Sequence, residues 1–184
     1  MAMKSFKVKK FLSLTLAFAV LMGLVSTRSA HAQDCRAIAS VVASAVSGAN
    51  NGMQGHINKH IFQAVAPNLP GNSAMGATLY NPVADWNAVW GAYQALPMAP
   101  APQCVAGGAA NVAHPAVLAP LIVNGHTCTA VSPANNTQCT ALAANAFAPT
   151  DHQVVFAWRG GQWIILTAYP HTRDPRMSHS IKST

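Results

Sequence analysis

Two β-rich runs, His152 to Arg159 and Gln162 to Tyr169, are separated only by Gly160-Gly161. No other stretch of the chain restricts the fold so tightly. Paired glycines accept the positive φ angles of a two-residue hairpin turn. The flanks are rich in Val, Ile, Phe, Trp and Tyr, which suit a pleated, half-buried surface. With that turn Arg159 faces Gln162, and Trp158–Trp163, Phe156–Ile165, Val154–Thr167 and His152–Tyr169 become cross-strand pairs. Alternation then puts the last eight side chains on one face of the ribbon. That face is apolar near the turn and polar at its far end, where His152, Thr167 and Tyr169 would cluster. The other face carries Val155, Ala157, Ile164 and Leu166 and reads as mostly core. A one-residue slip would undo the arrangement.

Upstream, the pattern is helical. Ile38, Val41, Val42 and Val46 recur near helical spacing between Cys35 and Ser47, with Asn50-Asn51-Gly52 as a break. A second helix is expected from Met53 to Val65, stopped by Pro67. A third begins with Asp85 as N-cap and buries Trp86, Val89, Trp90, Tyr93 and Leu96. Val117 to Val123 reads as a strand that ends at the turn Asn124-Gly125. N-terminal helices followed by a C-terminal antiparallel β-sheet make an α+β fold.

Lys4, Lys7, Lys9 and Lys10 precede an apolar run from Phe11 to Val25, and Ala30-His31-Ala32 offers small residues for cleavage before Gln33. A signal peptide over 1–32 is therefore expected. The run falls short of the roughly 20 apolar residues of a membrane span. The expected product is one domain over 33–184, secreted or periplasmic, monomeric, without a membrane anchor, and with a polar, flexible tail at 174–184. Its length of about 150 residues is enough to bury one core.

Without the leader the net charge falls from +7 to +2, because six cations (Arg36, Lys59, Arg159, Arg173, Arg176, Lys182) face four aspartates. That excludes tight nonspecific binding through many phosphate contacts, though not a grip on one or two phosphates. The chain has no glutamate, so a paired-carboxylate mechanism would need aspartates alone. All four cysteines lie beyond the leader, and an even number in an oxidising compartment reads as two disulfides. The short polar loop at Pro133-Ala134-Asn135-Asn136 favours Cys128–Cys139, which leaves Cys35–Cys104. No CxxC spacing supports a zinc site in their place.

Gly55-His56-Ile57-Asn58-Lys59-His60 concentrates two imidazoles and an ammonium in a chain poor in charge. On a helix, His56 and His60 would share a face. Neutral histidine can take a proton from a ribose 2′-hydroxyl, and protonated histidine can give one to a departing 5′-oxygen. Lys59 and the hydroxyls of Thr167 and Tyr169 could hold the phosphate charge. The bland alternatives are a solvated helix face for the first group and ordinary strand packing for the second. A His-x-x-x-His pair could also hold zinc or copper, but it would need a further ligand. The remaining histidines, His114, His126, His171 and His179, have no partner visible in the sequence.

The Gly-His…Lys-His-Ile segment and the C-terminal Ile-Leu-Thr-Ala-Tyr-Pro resemble the RNase A-like toxin domains at the ends of bacterial contact-dependent growth-inhibition proteins. The resemblance implies a ribonuclease that needs no cofactor or metal and cleaves RNA by transesterification to a 2′,3′-cyclic phosphate, with a cognate immunity protein as partner. It places the catalytic histidine at His60 and its strand hydroxyls at Thr167 and Tyr169, with His56 a weaker match to the family's first histidine. In a ribonuclease reading of these residues, His56 or His152 is the partner of His60, and Lys59 helps to stabilise the phosphate. Gly71 stands near the place where the family has an arginine, and Lys59 or Arg159 would have to serve instead. The competing expectation is a non-catalytic secreted or periplasmic binding protein, with a metal at His56 and His60, or an inactive relative of the toxins.

Overall fold

The computed structural model describes residues 31–62, 74–97 and 100–172, the side chains of 135–137 excepted. In chain order the elements are β1 (Gln33–Asp34), a 3-10 turn (Cys35–Ala37), α1 (Ala39–Ser44), α2 (Ser47–Gly52) and a second 3-10 turn (Ile57–His60). There follow β2 (Thr78–Leu79), α3 (Val83–Ala95), β3 (Gln103–Cys104), β4 (Val112–Ala116), β5 (His126–Ser132), β6 (Asn135–Leu142), β7 (Asp151–Arg159) and β8 (Gln162–His171). The fold is α+β, with short helices, antiparallel sheets and disulfides at Cys35–Cys104 and Cys128–Cys139. The expected leader at 1–32 lies outside the described residues apart from its end, and the tail at 174–184 lies wholly outside them.

Three sheets form: β1-β3, β2-β5-β6 and β4-β7-β8. The last is built on the expected hairpin, whose Gly160 and Gly161 take φ of 55° and 82°. One face of this sheet presents Val112, Ala116, Val154, Phe156, Trp163, Ile165 and Ala168 to the main core. Trp86, Val89, Trp90 and Tyr93 of α3 meet it there, as their spacing predicts, with Leu96 at the margin. Trp158 and Trp163 form an edge-to-face pair at 5.9 Å, a core contact rather than a platform for stacked bases. A smaller core gathers Leu79 and the Cys128–Cys139 disulfide with Phe62, Val131 and Leu142.

β8 is an edge strand, and its open edge is closed by the helices rather than left to water. Ser40 Oγ donates to the Trp163 carbonyl at 2.7 Å. Ser44 Oγ accepts from the Ile165 N–H at 2.8 Å, and Asn50 Nδ2 donates to the Ile165 carbonyl at 2.7 Å. The His56 N–H donates to the Leu166 carbonyl at 2.7 Å. These bonds dock α1, α2 and the His56 segment on the strand that carries Thr167 and Tyr169.

Several elements depart from the sequence pattern. The first helix is split, with Cys35–Ala37 a 3-10 turn and Ile38 extended. Cys35 is pinned by its disulfide and by its N–H bond to the Pro102 carbonyl, so the chain cannot coil through it. Asn50-Asn51-Gly52 ends α2 instead of interrupting a helix. α3 starts at Val83 after Pro82, so Asp85 is not the N-cap but an acid in the first turn, where it favours the helix dipole. Val117–Val123 is not a strand; it contains Pro120, which has no N–H for a ladder. Gly125 makes no hairpin turn but a bridge to Phe147, whose ring occupies the place of a Cβ. Among the described residues no helix is long and apolar enough to cross a membrane.

Candidate functional site

His60 does not sit on the helix expected over Met53–Val65. Within the described part of that span the chain forms one 3-10 turn, and the remainder, including Pro67 and Gly71, lies outside the described residues. The cause is local. Gln54 takes a positive φ of 69°, and the side-chain amide of Asn50 fills the space where a Cβ at Gly55 would stand. Asn50, fully buried, donates to the Ser44 carbonyl at 2.9 Å and accepts from the Ile57 N–H at 3.0 Å. Together with its bond to Ile165, this fixes α2, the His56–His60 segment and β8 to one another. A 3-10 turn repeats every three residues, so His56 and His60 do not share a face in the manner of a helical i, i+4 pair.

The chain leaving His60 pairs with the second sheet. Tyr80 N–H donates to the His60 carbonyl at 2.8 Å, and Ile61 bridges Tyr80. The ring is fixed too, because His60 Nδ1 donates to the Thr78 carbonyl at 2.9 Å. A carbonyl only accepts, so Nδ1 carries the hydrogen and a neutral ring keeps its lone pair on Nε2. Burial holds the His60 pKa below the usual imidazole value; the Thr78 bond opposes this, and His56 and Lys59 add to it. His60 is thus a neutral, oriented base at pH 7. Its ring lies 5.0 Å from that of Tyr169, tilted by 34°.

Tyr169 reaches His60 because the hairpin ladder is not regular. Phe156 opposes Ile165 as the two-residue turn requires, but Val155 opposes Thr167, so Leu166 is an extra residue in β8, a bulge. Beyond it the register differs from the simple expectation. His152 opposes Pro170, Tyr169 opposes Gln153, and Val154 opposes Ala168. Thr167 and Tyr169 therefore share the face of Val155 and Gln153, away from the main core, while His152 stays on the core face. The expected cluster of His152, Thr167 and Tyr169 does not form. His152 is 5% exposed, with Nδ1 3.3 Å from the Tyr80 hydroxyl, and burial lowers its pKa.

Thr167 is 8% exposed, and its hydroxyl makes no hydrogen bond among the described residues. Leaving such a group unpaired costs about 1–3 kcal/mol. It stands one rung from Tyr169 on the same face. His56 is half-buried; burial lowers its pKa most, followed by the charges of Lys59 and Arg159. Those two cations therefore lie within electrostatic reach of His56, and Lys59 of His60 as well. Lys59 is exposed. His60 and Tyr169 are thus in ring contact, Thr167 shares the face of Tyr169, Lys59 and His56 adjoin His60 in the chain, and His152 lies on the opposite face of the sheet.

One pair was invisible in the sequence. His171 Nδ1 lies 3.2 Å from Asp151 Oδ1, across the first rung of the β7–β8 ladder, and its ring meets Tyr169 edge-on at 6.4 Å. The only available signal was the hairpin register itself, which needs the bulge to align them. A pocket of about 230 Å³ is walled by Leu118, Val123, Asp151 and His152, among others, but not by His60, Thr167 or Tyr169. Among the described residues no three His, Cys, Asp or Glu side chains converge as a metal cluster, so the structure supplies no third ligand to His56 and His60. No protein-family model, curated protein or solved structure matches the chain.

Proposed function

We propose that this chain is an exported, metal-independent ribonuclease of the toxin type, cleaving RNA by transesterification to a 2′,3′-cyclic phosphate. The observation that carries the reading is the environment of His60. Its Nδ1–H is committed to Thr78, its Nε2 is left basic, and it packs on Tyr169 beside the unpaired buried hydroxyl of Thr167. His60 Nε2 removes the proton of the 2′-hydroxyl, and the 2′-oxygen attacks phosphorus. Thr167 and Tyr169 donate hydrogen bonds to the non-bridging oxygens, and Lys59 and His56 border the site as its charge and its second imidazole. Lys59 or Arg159 takes the role of the arginine that Gly71 does not supply. Two disulfides support function in an oxidising compartment, secreted or periplasmic, and a neighbouring immunity protein is the partner this activity would require.

The test is incubation of the oxidised protein 33–184 with total RNA in EDTA, beside His60→Ala. Cleavage by the wild type alone, ending in cyclic phosphates, is the expected result. Intact RNA with folded wild type, or cleavage by both proteins, would overturn the reading; the first would leave a non-catalytic binding protein.

A further inference from the structure

A base alone does not complete the reaction, because the 5′-oxygen leaves as an alkoxide unless a proton reaches it. His56 and His152 were the sequence candidates for the donor. His152 lies on the core face, and His56 hydrogen-bonds to β8 through its backbone on the Arg159 side of the cluster. His171 is differently placed. Its side chain is 44% exposed, whereas the Asp151 carboxylate it meets is 1% exposed. Nδ1 lies 3.2 Å and 3.5 Å from the two oxygens of that carboxylate. A carboxylate accepting from Nδ1–H orients the ring, and the protonated form then presents Nε2–H on the opposite side. Both imidazoles touch one phenol ring, His60 at 5.0 Å and His171 at 6.4 Å.

We infer that His171, oriented by Asp151, is the general acid that protonates the departing 5′-oxygen. The inference rests on the ribonuclease reading and names the second half of its chemistry. The 2′-hydroxyl proton goes to His60 Nε2 as the 2′-oxygen bonds to phosphorus. The P–O5′ bond breaks, and the proton on His171 Nε2 passes to the 5′-oxygen. The products are a 2′,3′-cyclic phosphate and a free 5′-hydroxyl. His60 ends protonated and His171 neutral, and exchange with solvent resets both. Asp151 is a positioning residue, since it acts only through His171.

Leaving-group dependence tests this. His171→Asn keeps a donor near the Nδ1 position for Asp151 and removes Nε2. It is assayed with RNA and with a ribonucleoside 3′-(4-nitrophenyl phosphate) bearing the base that RNA cleavage prefers. Nitrophenolate departs without a proton, so loss of the acid leaves that substrate unaffected. The expected result is a loss of about a hundredfold or more on RNA, with near wild-type turnover of the aryl ester, an unchanged melting temperature, and a smaller RNA-selective loss in Asp151→Asn. His60→Ala should fail on both substrates. Wild-type RNA cleavage by His171→Asn, or equal losses on both substrates, would overturn the role of His171 while leaving the ribonuclease reading intact. Inactivity of the folded wild type would remove both.

Discussion

The imidazole of His60 packs against the phenol of Tyr169 only because Leu166 is inserted between Ile165 and Thr167 without a partner on β7. A regular ladder would have directed Tyr169 to the core side with His152. The contact therefore depends on a backbone irregularity as much as on the two side chains.

Thr167 offers the sharpest separation of stability from function. Its hydroxyl is buried without a hydrogen bond among the described residues, so Thr167→Val removes a desolvated polar group at nearly constant shape. The variant should melt at or above the wild-type temperature, with a gain of up to about 1 kcal/mol. If Thr167 holds a non-bridging oxygen, RNA cleavage should fall by about tenfold to a thousandfold. Differential scanning calorimetry and a cleavage assay on one preparation check both.

Asn50 should behave in the opposite way. It bonds Ser44, Ile165 and Ile57 from a fully buried position and so links all three segments. Asn50→Ala leaves several buried backbone groups unpaired and should cost about 3 kcal/mol or more. Because the His56–His60 segment loses its anchor, cleavage should also fall at temperatures where the variant remains folded.

Acid should weaken the fold before the carboxylates titrate. Burial lowers the pKa values of His56, His60, His114 and His152 below their ordinary 6.5. The unfolded chain therefore binds more protons than the folded one as pH drops through 6.5 toward the folded values, and stability falls with pH. Urea midpoints should decline between pH 7 and pH 5. In His152→Gln, which removes one of these groups, the decline should be shallower.

The disulfides should differ in weight. Cys35–Cys104 closes a separation of 69 residues and Cys128–Cys139 one of 11. Restricting the unfolded chain gives about 4 kcal/mol for the first and about 3 for the second. Paired serine substitutions, compared by chemical denaturation, should show the larger loss for Cys35→Ser with Cys104→Ser.

The parts legible in sequence were those with short-range causes. Gly160-Gly161 set the hairpin, aromatic spacing set the buried side of α3, and the polar loop after Ser132 matched the Cys128–Cys139 closure. His60, Thr167 and Tyr169 were found as residue types, and the structure brings them to one region. What escaped was set by contacts distant in sequence. Asn50 had the composition of a helix breaker, yet its three hydrogen bonds make it a tie between segments. The bulge has no signature in Ile-Ile-Leu-Thr-Ala-Tyr, which alternates acceptably in either register. His171 gained meaning only once Asp151 was opposite it.

The bulge also makes the length of β8 a determinant of what the protein can do. Up to Ile165, odd-numbered residues of the strand face the main core; from Thr167 onward, they lie on the opposite face of the sheet. Removing Leu166 would restore a single parity along the strand and turn the threonine and tyrosine toward Phe156 and Trp86, with every side chain of the set still in the polypeptide. A comparison of residue content would score such a protein as intact. Its threonine and tyrosine would nevertheless sit on the other face of the sheet from His60, so the count of residues between the turn and the threonine matters as much as their identities.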